Sequence, residues 1–100
     1  MTNARYSVSV DRVNVGGSLD NADSIDYRDF SSGMVYIPAD QIFVPFVWYV
    51  SSKVDGVYVE AITQNVESGK AYSIPAELSG ASFLKVLTFG GGTIGVTLKD

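Results

Sequence analysis

Cysteine and histidine are both absent from this chain of 100 residues. Without cysteine there is no disulfide framework, no thiolate nucleophile and no cysteine-held metal. Without histidine the commonest general base near neutral pH and the commonest metal ligand are missing. Basic residues are few: Arg5, Arg12, Arg28, Lys53, Lys70, Lys85 and Lys99 stand apart, and 11 acidic residues against these 7 leave a formal net charge of -4. Such a surface repels a phosphate backbone, which argues against nucleic acid as a partner. No long apolar run occurs either, because residues 42–50, the longest, fall far short of the ~20 that span a bilayer. No membrane association is expected. Met1-Thr2-Asn3-Ala4-Arg5 lacks the apolar stretch of a signal peptide. The expectation is a protein made and used in a cytoplasm, or assembled there into something larger.

What the chain does have is apolar and aromatic material. Hydrophobic residues make up 46% and aromatic residues 12%, enough for one core without metals or disulfides. A chain of this length buries roughly 60 to 70% of its unfolded surface on folding, so a single domain over residues 1–100 is expected. Two of its three prolines close the same phrase, Tyr36-Ile37-Pro38-Ala39-Asp40 and Ser73-Ile74-Pro75-Ala76-Glu77. Proline donates nothing to a strand ladder, so each copy marks where a strand ends and the chain leaves a sheet. The residues after the two copies, Gln41-Ile42-Phe43 and Leu78-Ser79-Gly80, do not match. That mismatch argues against an internal duplication.

Alternation with a period of two recurs along the chain. Tyr6, Val8 and Val10, then Val13 and Val15, slip phase at Asp11-Arg12, which reads as a bulged strand or as two short strands. Gly16-Gly17-Ser18 breaks the pattern, and residues 24–28 alternate again with Ile25 and Tyr27 inward. Ser31-Ser32-Gly33 reads as a turn and residues 34–37 as a strand stopped by Pro38. Residues 44–51 are apolar on both faces, with Phe46, Trp48 and Val50 against Val47 and Tyr49, as in a central strand. The Asp55-Gly56 pair predicts a hairpin into residues 57–62. Residues 71–74 form a short strand, and Ala76-Glu77-Leu78-Ser79-Gly80 one helical turn closed by glycine. Phe83, Lys85, Leu87 and Phe89 alternate with Leu84, Val86 and Thr88. Gly90-Gly91-Gly92 then reads as the turn of a final hairpin, with Ile94, Val96 and Leu98 facing in. About eight short strands without an amphipathic helix predict an all-β, antiparallel β-sandwich of jelly-roll-like type.

No constellation carries catalysis. Asp20, Asp23, Asp26 and Asp29, with Asn21, are the one concentration of oxygen ligands. Calcium takes six to eight such ligands, but a spacing of every third residue is not the EF-hand pattern. The Phe89-Gly90-Gly91-Gly92-Thr93 run lacks the lysine and helix of a phosphate loop. Ser51 and Ser52 would need an oriented base, for which lysine is the substitute where histidine is missing, and nothing in the sequence places Asp55 and Glu60 across a cleft that would set two carboxylates to work. Trp48, Tyr49, Tyr58, Tyr36 and Tyr72 would make a sugar-stacking platform only on a shared exposed face; otherwise they are core or interface anchors. Tyr49 and Tyr58, near the two sides of one hairpin, are candidates for a cross-strand pair. No catalytic, cofactor-binding or metal-binding residue is assigned, no cofactor is expected, and the protein reads as non-enzymatic.

From Ser24 to Lys99 the order of features resembles a small structural protein of tailed bacteriophages. The resemblance runs through Ile25-Asp26-Tyr27, the Ile37-Pro38-Ala39 strand end, and the hairpin Ser51-Ser52-Lys53-Val54-Asp55-Gly56-Val57-Tyr58. It continues through the stretch from Gly69-Lys70-Ala71-Tyr72 to Phe83-Leu84-Lys85-Val86, and the final Thr93-Ile94-Gly95-Val96-Thr97-Leu98-Lys99. It implies a virion component, a decoration or cement protein on the capsid lattice. Its partner would be the major capsid protein or another virion protein, with a homo-oligomer or many copies on the shell. A head-completion or tail subunit is a further expectation. Residues 1–23 depart from the pattern and are expected to be a strand, or an arm that orders on a partner. The second proline phrase also looks like part of the discoidin or galactose-binding jelly roll, which implies a carbohydrate-binding module of a phage tail or cell surface.

Overall fold

The computed structural model describes residues 7–99. Within them lie β1 (Ser7–Val15), β2 (Ile25–Asp26), β3 (Ser32–Tyr36), β4 (Phe46–Ser51), β5 (Val59–Gln64), β6 (Ala71–Ser73), β7 (Phe83–Leu87) and β8 (Gly92–Lys99). They form two four-stranded sheets, ordered β1-β8-β3-β6 and β2-β7-β4-β5, and every strand pair is antiparallel. The helical segments among the described residues are two 3-10 turns, Leu19–Asn21 and Ala76–Leu78. The expectation of an all-β antiparallel sandwich is met.

The pairings are nested. β1 pairs with β8, β2 with β7, β3 with β6 and β4 with β5. The chain is therefore one long hairpin rolled up on itself, with residues 52–58 at its tip. Only β4 and β5 are successive strands within one sheet; every other connection crosses between sheets. The loops 27–31, 52–58 and 74–82 gather at the tip end. Loops 16–24, 37–45, 65–70 and 88–91 gather at the far end.

The core lies between the sheets. β4 is central, flanked by β5 and β7, as its two apolar faces predict. Phe46 and Trp48 are fully buried and meet edge to face at 5.6 Å. The Trp48 Nε1–H donates to Gln64 Oε1 at 2.9 Å, which satisfies the polar tip of the indole. From the opposite sheet, β8 contributes Ile94, Val96 and Leu98, the inward set predicted from its alternation. The slip at Asp11-Arg12 is a register shift between Val10 and Val13, and beyond it Val13 and Val15 enter the core. Residues 7–15 are thus a strand of the sandwich, not an arm; Tyr6 and residues 1–5 lie outside the described residues. Ile25 and Tyr27 are buried, as their alternation predicts.

The two proline phrases end the two strands of one antiparallel pair. The Ile37 N–H donates to Lys70 O and the Ile74 N–H to Gly33 O, each at 2.9 Å. Both isoleucines are buried, and each following proline starts a crossing into the second sheet.

Four local expectations are corrected. The final hairpin does not exist: β7 and β8 lie in different sheets, so Gly90-Gly91-Gly92, all with positive φ, carries a crossing. Ser32 and Gly33 are strand, not turn. A Cβ on Gly33 would sit 2.6 Å from Thr97 O and 2.8 Å from Ile74 Cδ1, so glycine here serves close packing. Val44 precedes β4 and is exposed. The predicted hairpin forms, but its second strand begins at Val59 rather than at residue 57. Its loop is held by Ser51 Oγ, which donates to Lys53 O at 2.8 Å and accepts from Lys53 N–H at 3.2 Å. No two-residue turn at Asp55-Gly56 is involved.

Thr88 continues the inward set of Leu84 and Val86, and its Oγ1 is buried without a hydrogen-bond partner among the described residues. An uncompensated buried hydroxyl is destabilising. Thr88→Val is expected to stabilise the fold by about 1 kcal/mol, a rise in Tm of about 4–8 °C for a domain this size. Thermal and chemical denaturation measure it, and a lower Tm contradicts the expectation.

Candidate functional site

The acidic residues are drawn apart by the fold. Asp20 is exposed in the first 3-10 turn beside Asn21. Asp23 closes the β1–β2 connection: its Oδ2 accepts from Asn14 N–H at 2.9 Å, and its own N–H donates to Asn14 O at 3.0 Å. Asp26 accepts from Arg28 Nε at 2.9 Å and Arg28 Nη2 at 2.6 Å. Asp29 is exposed in the next loop. Among the described residues no three carboxylates are grouped to hold a metal ion.

Of the serine and carboxylate candidates, one is held by its own loop. Ser51 Oγ is bound to the backbone of its own loop. Asp55 lies in the exposed tip loop, while Glu60 stands opposite Tyr49 on β5. The glycine run lines an open hollow of ≈ 310 Å³ with Gly16, Gly17 and Asn21, which brings no cation to it.

The five aromatics do not form one platform. Trp48 is in the core, and the Tyr72 hydroxyl accepts from Glu67 N–H at 2.8 Å. Tyr36 lies on the outer face of the first sheet, against Gly95, and its hydroxyl accepts from Thr97 Oγ1 at 3.2 Å. Tyr49 faces Glu60 in the ladder, so Tyr49 and Tyr58 are not a cross-strand pair. Tyr58 donates its hydroxyl to Val54 O at 2.9 Å, and its ring carries the Lys85 ammonium 4.7 Å from its centre. Lys85 Nζ also donates to Leu19 O at 2.8 Å, pinning the first 3-10 turn across the second sheet. Beside it, the Arg28 guanidinium sits 4.9 Å over Phe83.

What sequence reading missed is the set of large apolar side chains left in water. At the far end these are Ile42 (79% exposed), Val44 (64%) and Phe89 (78%). At the tip end they are Val54, Val57 (83%) and Val59. They lie on or beside loops at the two ends of the sandwich. Alternation did not single them out: Phe89 continues the pattern of Phe83, Lys85 and Leu87, and Val57 and Val59 fall inside a stretch that reads as strand. No protein-family model, curated protein or solved structure matches the chain. What the geometry defines is an all-β sandwich of two antiparallel sheets with large apolar side chains exposed on or beside its connecting loops.

Three groups among the described residues have shifted ionisation: Tyr27, Asp26 and, raised by its hydrogen bond to Asp26, Arg28. Burial pushes the Tyr27 phenol up. The Arg28 side chain, through its hydrogen bonds, holds the Asp26 carboxyl below its usual value. Asp26 therefore contributes to stability above the ordinary carboxylate pKa, and that contribution is lost as pH falls through the lowered one. Both partners are more than half exposed, so the effect is small. Arg28→Ala is expected to return the Asp26 pKa upward to the ordinary range in an NMR titration of side-chain carboxyls; an unmoved value contradicts this origin.

Proposed function

We propose that this chain is a non-enzymatic structural protein of a virion, a decoration or cement protein that binds the major capsid protein and reinforces the shell in many copies. The observation that carries the reading is the display of Ile42 and Val44 on an exposed connection, where apolar side chains gain most by meeting a partner surface. The order of motifs from Ser24 to Lys99 supports it by resemblance. The strand orders β1-β8-β3-β6 and β2-β7-β4-β5, with their nested pairs, support a jelly roll, an architecture found in viral capsid and lectin domains. Fold alone does not set function. The contact chemistry is modest for one copy, and repetition over a lattice makes weak contacts add up.

Co-sedimentation of the purified protein with assembled shells of the virus that encodes it tests the proposal, with copies per particle counted by quantitative mass spectrometry. A lattice-scale count and a rise in shell melting temperature are expected. The exposed pair Ile42→Asp with Val44→Asp is expected to weaken shell binding by about tenfold or more while the domain stays folded. Absence of binding overturns the reading, a single ring's worth of copies moves it to a head-completion or tail subunit, and a positive glycan array moves it to a carbohydrate-binding module.

A further inference from the structure

We infer that the far end of the sandwich is a preformed docking face for a partner whose apolar surface is rimmed by basic side chains, with Phe89 joining Ile42 and Val44 as anchors. The inference rests on the capsid reading and states the chemistry that the shell protein presents to this chain.

Gln41 ties the loops of this end together. Its Oε1 accepts from Thr93 N–H at 3.2 Å, just beyond the β7–β8 crossing, and its backbone O accepts from Ser68 Oγ in the β5–β6 connection. The Gly69 N–H donates to Ile37 O at 3.0 Å, a second link between the same two connections. Ile42 follows Gln41 and precedes Phe43, whose buried ring packs where a Cβ on Gly92 would stand. It is therefore exposed on a segment held at both sides. Val44 lies in sequence between the buried rings of Phe43 and Phe46, which are 6.1 Å apart. Phe89, 78% exposed, follows Thr88, which is buried and bound through its N–H to Gly16 O at 2.8 Å. Side chains placed on held backbone lose less freedom when a partner covers them.

Charge says what kind of partner fits. The far-end loops carry Asp20, Asp23, Asp40 and Glu67 against Lys70, which is paired with Glu67 at 3.3 Å. Lys85 reaches this end only to bind Leu19 O, with the Tyr58 ring against its ammonium. Asp40, close to Ile42 in sequence, is exposed and makes no ion pair among the described residues. The tip end is acidic too: its loops hold Asp29, Asp55 and Glu77 against Lys53 and an Arg28 already paired with Asp26 at 2.6 Å. Neither end of a second copy therefore complements the far end. Interfaces set apolar residues at the centre and polar ones at the rim, and opposite charges at the rim steer encounter and reject wrong partners. The occupant is thus a different chain, with basic side chains around an apolar patch.

Co-sedimentation with assembled shells of the virus that encodes the chain, over a salt series, tests this with three variants at exposed positions: Phe89→Ser, Asp40→Lys and Asp55→Lys. Wild-type binding is expected to weaken as salt rises. Phe89→Ser is expected to weaken it by about tenfold or more at every salt concentration. Asp40→Lys is expected to weaken it at low salt and to flatten the salt dependence. Asp55→Lys changes the net charge equally at the tip end and is expected to leave both unchanged. Salt-independent binding, full binding by Phe89→Ser, or equal effects of the two charge reversals overturns the inference and leaves the capsid reading standing. Absence of wild-type binding overturns both. Circular dichroism checks folding; Phe89→Gln, or Asp40→Asn against Asp55→Asn, replaces a variant that folds poorly, with the same outcomes deciding.

Discussion

The buried indole of Trp48 is the constraint on which the sandwich depends. A fully buried indole contributes a large apolar surface but also an N–H that must find an acceptor inside the protein. Gln64 supplies it, and the same amide donates from Nε2 to Ser73 O at 3.2 Å. Trp48 and Gln64 belong to the second sheet and Ser73 to the first, so one side chain satisfies the core and ties the sheets together along the β5–β6 margin. Phe46 packs edge to face on Trp48, and Phe43 follows at 6.1 Å from Phe46, extending the aromatic row toward the far end. Residues around this row have little freedom: Gly92 leaves space where a Cβ would collide with Gln41 Oε1 and the Phe43 ring.

Much of this was legible in the residues, because inward alternation is a local property. Val96 and Leu98, Ile25 and Tyr27, and the two-faced strand around Trp48 all fall where their periodicity places them. The bulge at Asp11-Arg12 was readable for the same reason. Sheet membership was not. A turn-forming run such as Gly90-Gly91-Gly92 bends the chain equally well into the same sheet or across to the other, and only the packing of distant strands decides. The prolines were better guides than the glycines: Pro38 and Pro75 both mark crossings, since a residue without a donor cannot extend the ladder that the chain is leaving. Ser32-Gly33 misled because glycine suits turns, whereas here it makes room for Ile74 and Thr97.

The candidate chemistry was legible mainly as residues that turned out to be structural. Spacing suggested an acidic cluster, yet Asp23 caps a connection and Asp26 is held by Arg28. Nothing in the sequence separates an exposed loop residue such as Ile42 or Phe89 from a buried one until the loops are placed. Phe43 and Ile42 make the point: adjacent in the chain, one is in the core and the other in solvent.

Nested pairing also sets the order in which the molecule can form. β4 and β5 need only residues 52–58 to close, whereas β1 must wait for β8, bringing Ser7 beside Lys99 from the two ends of the described chain. The entropy of closing a loop grows with its length, and each inner pair shortens the loop that the next outer pair must close. Loop closure therefore favours pairing from the middle of the chain outward. The β1–β8 pair closes the longest of these loops and so carries the largest closure cost. The slow folding of β-rich, long-range topologies follows from that dependence rather than from any single weak contact.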